Sequence, residues 1–248
     1  MASGEDRPSQ GGQAWFSTTQ WSVVLKARSV DEAESRDALA TLCQAYWAPV
    51  YSYIRRRGHD PDAARDLTQG FFAVLLERRG IEDARKERGR FRSFLLTSVK
   101  NFLSDDQDYH RAQKRGGGLT PISIDANTWE SVLSDPEPAT HLTPETLFEQ
   151  RWTLALLDRT IADLEKELEL SGGLDRFQRL RNYLVSDSDP PYEQLGLEMN
   201  MTESAVRVAL HRMRQKFGAR LREHVAQTLD DPAKTEDELR YLINLMGA

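Results

Sequence analysis

Cysteine is almost absent from this chain: one residue, Cys43, in 248. That excludes an intramolecular disulfide and any cysteine-built metal cluster. Cys43 sits in LATLCQAYW at a helical core spacing, where a thiol acts as a small apolar side chain. No apolar run approaches the length of a membrane span. The opening MASGEDRPSQGGQ has no apolar core of the kind a secretory signal needs, so a cytoplasmic protein without membrane attachment is expected. The 5 histidines, His59, His110, His141, His211 and His224, are scattered. There is no H-E-x-x-H pair, no nucleophile elbow and no phosphate-cradling glycine loop after a strand. Gly116–Gly118 follows a basic helix and reads as a hinge. Catalytic residues, cofactors and metal ligands are therefore not expected. Period-two apolar alternation, the mark of strands, is also missing.

What is present is charge arranged in blocks. The chain is 39% hydrophobic and 29% charged, with a formal net charge of -6. That net charge argues against a general nucleic-acid coat, but the distribution does not. Thr202–Arg222 carries six Lys/Arg against one Glu. Arg85–Arg115 carries nine against four acids. Asp125–Gln150 has six acids and no Lys or Arg. Basic modules joined by an acidic connector fit local phosphate binding.

Apolar residues at steps of three and four predict an all-α protein. Residues 1–16 are polar and rich in Gly, Ser and Gln, a disordered composition. A helix is expected near Gln20. The next, over 34–57, turns Leu39, Leu42, Cys43, Tyr46, Val50 and Ile54 to one side and ends at Gly58. Asp60-Pro61 supplies an N-cap and a first-turn proline for a helix to about 78, with Ala64, Leu67, Phe71 and Leu75 inward. A helix over 89–114 follows, with Phe91, Phe94, Leu95, Val99, Phe102 and Leu103 inward. Residues 119–143 read as a linker. Helices over 144–170 and 174–185 precede the strongest motif. A last helix, 235–246, opens on TEDE, read as a capping box of Thr235 and Glu238, with Leu239, Leu242, Ile243 and Met246 as its apolar face.

The strongest motif is YEQLGLEMNMTESAVRVALHRMRQKF, Tyr192–Phe217. A short helix, a turn at Met199-Asn200-Met201 and a second helix capped by Thr202 form a helix-turn-helix, whose second helix enters the DNA major groove. Asn200 stands where positive φ is needed, which Asn tolerates better than most residues. Val206, Leu210, Met213 and Phe217 form the inner stripe. Thr202, Ser204, Arg207, Val208, His211, Arg212 and Arg214 are left as candidate DNA contacts, with Lys216 on the flank. Arginine can read guanine edges or hold phosphates, and Ser204 lies where the helix dipole favours an anion.

Upstream, YSYIRRRGHDPDAARDLTQGFFAVLLERR and KERGRFRSFLLTSVKNFLSDDQDYHRAQKR resemble region two of bacterial sigma factors of the extracytoplasmic-function group. Tyr192–Phe217 resembles their region four. The wording of WAPVYSYIRRRGHDPDAARDLTQ and RGRFRSFLL is similar to a branch common in planctomycete bacteria. The resemblance implies a helix docked on the coiled coil of the polymerase β′ subunit through Asp66, Gln69 and Phe72. It implies minus-ten recognition and opening by Arg90, Arg92, Lys100, Asn101, Tyr109, Arg111, Lys114 and Arg115, with part of the base selectivity in the loop at 79–89. It implies that region four reads the minus-thirty-five element and touches the polymerase β flap. The sequence departs from the family at Gly70, where an acid is usual.

The expected organisation is a disordered 1–16, a region-two-like bundle over 17–118, a flexible acidic linker over 119–143, a region-four-like domain over 144–229 and a helical extension over 230–248. Core RNA polymerase and promoter DNA are the expected partners, with room for an anti-sigma factor or another regulatory partner. Two alternatives stay open. One is an operator-binding regulator that uses only the helix-turn-helix and does not associate with polymerase. The other is a degenerate adaptor that does not bind DNA.

Overall fold

A computed structural model of the chain describes Val23, Lys26 and residues 31–77, 90–112, 142–185 and 190–247. The helix expected near Gln20 largely falls outside these residues, as do the linker 119–143 apart from 142–143, and the loop 79–89. All regular structure among the described residues is helical: α1 (Glu32–Arg56), α2 (Pro61–Glu77), α3 (Phe91–Ala112), α4 (Pro144–Leu170), α5 (Leu174–Leu180), α6 (Tyr192–Met199), α7 (Glu203–Gln227) and α8 (Thr235–Met246). Short 3₁₀ turns at Arg181–Tyr183 and Pro232–Lys234 lead into the segments before α6 and α8.

The starts and stops follow local chemistry. The Asp60 carboxylate accepts the backbone N–H of Asp62 at 3.0 Å and of Ala63 at 2.9 Å, satisfying first-turn donors of α2. Thr143 caps α4 by accepting from Thr146 N at 3.1 Å. Thr202 caps α7 by accepting from Ala205 N at 3.3 Å. Gly58, at φ 97°, turns the chain out of α1, a conformation in which a Cβ would be strained.

Two apolar clusters form. The first joins Leu42, Tyr46, Val50 and Ile54 of α1 to Phe71, Phe72 and Leu75 of α2 and to Phe91, Leu95, Val99 and Leu103 of α3. Trp47 stacks on Phe72 with ring centroids 5.8 Å apart, and Phe71 meets Phe102 edge-on at 5.7 Å. The same cluster takes in Phe148, Trp152 and Leu156 of α4, Val225 of α7, Leu229, and Leu239 and Leu242 of α8. The second cluster gathers Leu164 of α4, Phe177 and Leu180 of α5, Leu195 of α6 and Val206, Leu210, Met213 and Phe217 of α7. Helix α4 therefore belongs to both: its first half seals the N-terminal bundle along α1, and its second half carries the helix-turn-helix. Apolar packing thus crosses the expected boundary at 144.

Helix α8 differs from the sequence expectation. Its N-cap position is Lys234, without a side-chain cap, and the Thr235 hydroxyl donates to Pro232 O at 2.6 Å. The capping box does not form because Glu238 is turned inward and buried, held by arginines of the N-terminal bundle. Leu239 and Leu242 are buried as expected, whereas Ile243 and Met246 face outward.

Candidate nucleic-acid interface

The helix-turn-helix closes on a left-handed residue. Asn200 has φ 51° and ψ 47°, and Met201 N donates to Gly196 O at 2.8 Å. Gly196 is buried at this turn, and a Cβ there would lie 2.8 Å from the Met201 carbonyl oxygen. Only glycine lets the two helices meet this closely. The turn was legible in the sequence through Asn200, while the need for glycine at 196 was not.

Helix α7 then presents the expected face. Val206, Leu210, Met213 and Phe217 are buried, and Thr202, Ser204, Arg207, Val208, His211, Arg212 and Arg214 are exposed. Their arginines differ in what they do. Arg207 donates to Glu203 Oε1 at 2.6 Å and lies over the Tyr192 ring at 4.0 Å. That holds its guanidinium near the helix start, where the dipole favours an anion. Arg214 donates from Nε and Nη2 to Tyr183 O at 3.0 and 2.7 Å, so it braces α7 against the 3₁₀ turn. Lys216 and Arg220 share Glu167 of α4 at 2.9 and 2.8 Å. These partners hold the Glu167 carboxyl below its usual range. Among the described residues Arg212 makes no ion pair. It lines a groove of about 500 Å³ with Arg176 of α5, Ser204, Val208 and Lys216. Arg176 was missed from the sequence, because only the fold brings α5 alongside α7.

In the N-terminal bundle the expected contacts are placed unevenly. Asn101 is exposed on α3, and Lys100 is half-exposed and paired with Glu145 of α4 at 2.7 Å. That pairing depresses the Glu145 carboxyl. Arg90 is also paired, with Glu238 of α8, and lies 5.8 Å from the Tyr241 ring centroid. Arg92 is 1% exposed, ion-paired with Glu238 and stacked over Trp152 at 4.4 Å. Its side chain is a core element here and does not present itself to solvent. The α3 stripe predicts only that helix's own inner face, and α4 and α8 cover the adjoining one. The side chains of Tyr109 and Arg111 lie outside the described residues, as do Lys114 and Arg115 entirely.

On α2, Asp66 is exposed and Gln69 half-buried, so both sit on an accessible face. Phe72 does not: at 1% exposure it is filled in against Trp47. Gly70 faces α3, where a Cβ would lie 3.4 Å from the Phe102 ring.

Residues 42–116 match the family model of sigma-70 region 2. The match supports a sigma-70 family member. It spans α1 from Leu42, all of α2 and all of α3, the helices that carry Asp66, Gln69, Lys100 and Asn101. A sigma-70 region 2 supports a role in binding RNA polymerase and recognising promoters. No curated protein and no solved structure matches the chain. No described helix is long and apolar enough to cross a membrane.

Proposed function

We propose that this chain is an alternative sigma factor of the extracytoplasmic-function group, of the planctomycete type. It binds core RNA polymerase, recognises a two-part promoter and assists its opening. The observation that carries the reading is the pairing, on one chain, of a sigma-70 region 2 with a complete helix-turn-helix whose outer face is cationic. The exposed face of α2, with Asp66 and Gln69, is the docking surface for the β′ coiled coil. Helix α3, through Lys100, Asn101 and the basic residues after it, meets the minus-ten element. The groove face of α7, through Ser204, Arg207, Val208, His211 and Arg212, reads the minus-thirty-five element as duplex, and the module around it touches the β flap. Arg214, on the same face, braces α7 against the 3₁₀ turn through Tyr183 O. Phosphate contacts supply affinity and register, while base-edge contacts supply sequence choice.

The test is binding to purified core polymerase, followed by transcription from a promoter pool with the captured complex. Nanomolar binding and selective initiation are expected. Dimeric binding to duplex DNA without polymerase binding overturns the reading and makes the chain an operator-binding regulator.

A further inference from the structure

The acidic start of α8 sits on the basic start of α3. Glu238 is completely buried, and each of its carboxylate oxygens meets a different guanidinium: Oε1 that of Arg92 and Oε2 that of Arg90. One turn further on, Tyr241 sets its ring 5.8 Å from Arg90 and donates its hydroxyl to Glu149 Oε2 at 2.6 Å. Glu149 in turn lies 3.9 Å from Arg92 Nε. Two arginines therefore face an anion with two oxygens; Arg90 also faces the flat ring of Tyr241, while Arg92 stacks on Trp152 of α4. Those are the features a nucleotide offers to arginine: a phosphate for charge-assisted hydrogen bonds and a base for stacking.

The arrangement is not self-sufficient. Arg92 Nε and Nη1 have no hydrogen-bond acceptor among the described residues, although the side chain is fully buried. Burying an ion pair costs desolvation that its attraction often only matches, and each unsatisfied donor adds to that cost. The helix that supplies the acid buries Glu238, Leu239 and Leu242, is tied to α4 by Gln150 Nε2 donating to Leu245 O at 2.8 Å and to α7 by Arg222 on Glu236 at 2.8 Å, and leaves Ile243 68% exposed. A competing polyanion offers the same arginines an equivalent charged partner.

We propose that α8 is an internal mimic of nucleic acid that occupies the Arg90–Arg92 surface, and that DNA binding by the N-terminal bundle requires its displacement. This rests on the reading of α3 as a DNA-facing helix. Glu238 is the competing anion, Tyr241 the stacking ring, and Leu239 and Leu242 the apolar seat.

The experiment uses the full chain in three forms: native, Glu238→Gln and Leu242→Ala. The first substitution removes the competing charge with little change of shape. The second loosens the seat and leaves every charge in place. Hydrogen exchange over residues 235–246 reports docking of α8, and anisotropy of a labelled 20-nucleotide single strand reports binding across a salt series. Both variants should show faster exchange in α8. Both should bind the strand on the order of ten-fold more tightly at low salt, with a steeper salt dependence of roughly 0.7 per freed cation. Adding Arg90→Ala to Glu238→Gln should reverse most of the gain. Faster exchange without tighter binding overturns the proposal and leaves α8 a packing element. Unchanged exchange in both variants overturns it as well. Binding of each form to core polymerase is measured separately. Failure of the native chain there defeats the sigma-factor reading, whereas intact polymerase binding with no gain on DNA defeats the mimicry alone.

Discussion

The α-carbon of Gly196 faces the carbonyl of Met201 so closely that a methyl group placed on it would come within 2.8 Å of the oxygen. The contact is to backbone, which cannot rotate aside, and the Met201 N–H is already bonded to Gly196 O. Gly196→Ala should therefore cost about 1–3 kcal/mol, the range for overpacking, despite the better helix propensity of alanine. Chemical denaturation of the native and variant chains checks this. An unchanged midpoint would mean that the turn opens without penalty.

Gly70→Ala should have the opposite sign. The new methyl meets the far edge of the Phe102 ring at 3.4 Å, an ordinary contact, in the interior of α2. Alanine in place of glycine in a helix gains about 0.5–1 kcal/mol. A thermal midpoint raised by a few degrees is the expected result, and a lowered one would show that α2 and α3 need to approach more closely than they do here.

Arg212 and Arg214 are neighbours on α7 with separable roles. Arg212→Ala should leave stability within about 0.5 kcal/mol, as for a surface change, and reduce the salt slope of duplex binding by about one. Arg214→Ala removes two hydrogen bonds to Tyr183 O and should lower stability by about 1 kcal/mol. Equal loss of stability in both variants would contradict this division of labour.

Stability should fall as pH drops from about 7 to 5. His224 is buried, with Nδ1 3.0 Å from Thr160 Oγ1 and Nε2 3.0 Å from Asp163 Oδ2. Burial, reinforced by the positive charge of Arg159, holds its pKa below the ordinary 6.5, although Asp163 pulls the other way. The unfolded chain consequently takes up a proton at a pH where the folded chain does not, and acid favours unfolding. Denaturation midpoints measured across this window should decline in the native chain and decline less in His224→Gln. Identical slopes would show that His224 does not carry the acid sensitivity between pH 7 and 5; carboxylates such as Glu145 and Glu167, whose pKa values are lowered by their cationic partners, lose their contribution only at lower pH.

The parts of the fold legible in the sequence are those fixed by near neighbours. Steps of three and four placed Val206, Leu210, Met213 and Phe217 inside; Asp60 and Thr202 announced helix starts; Asn200 announced the left-handed turn. The less legible parts depend on distant segments. Phe72 follows Phe71 by about 100° of helix rotation and would lie beside a single inner stripe, but Trp47 makes α2 buried on a wider arc. Arg92 reads as a cation for DNA because its partner Glu238 stands 146 positions away. A carboxylate three residues after a threonine is the local signature of a cap, and nothing nearby in the sequence says that it points instead into another module.

Helix α4 runs 27 residues, about 40 Å. It carries Phe148, Trp152 and Leu156 into one core and Leu164 into the other. Cutting the chain within 119–143 therefore separates the sequence but not the structure. The released C-terminal fragment would keep three large apolar side chains shaped for a partner it no longer has, and the N-terminal fragment would lack the wall that closes over Tyr46 and Phe91. The two fragments, made separately and mixed, have reason to find each other again.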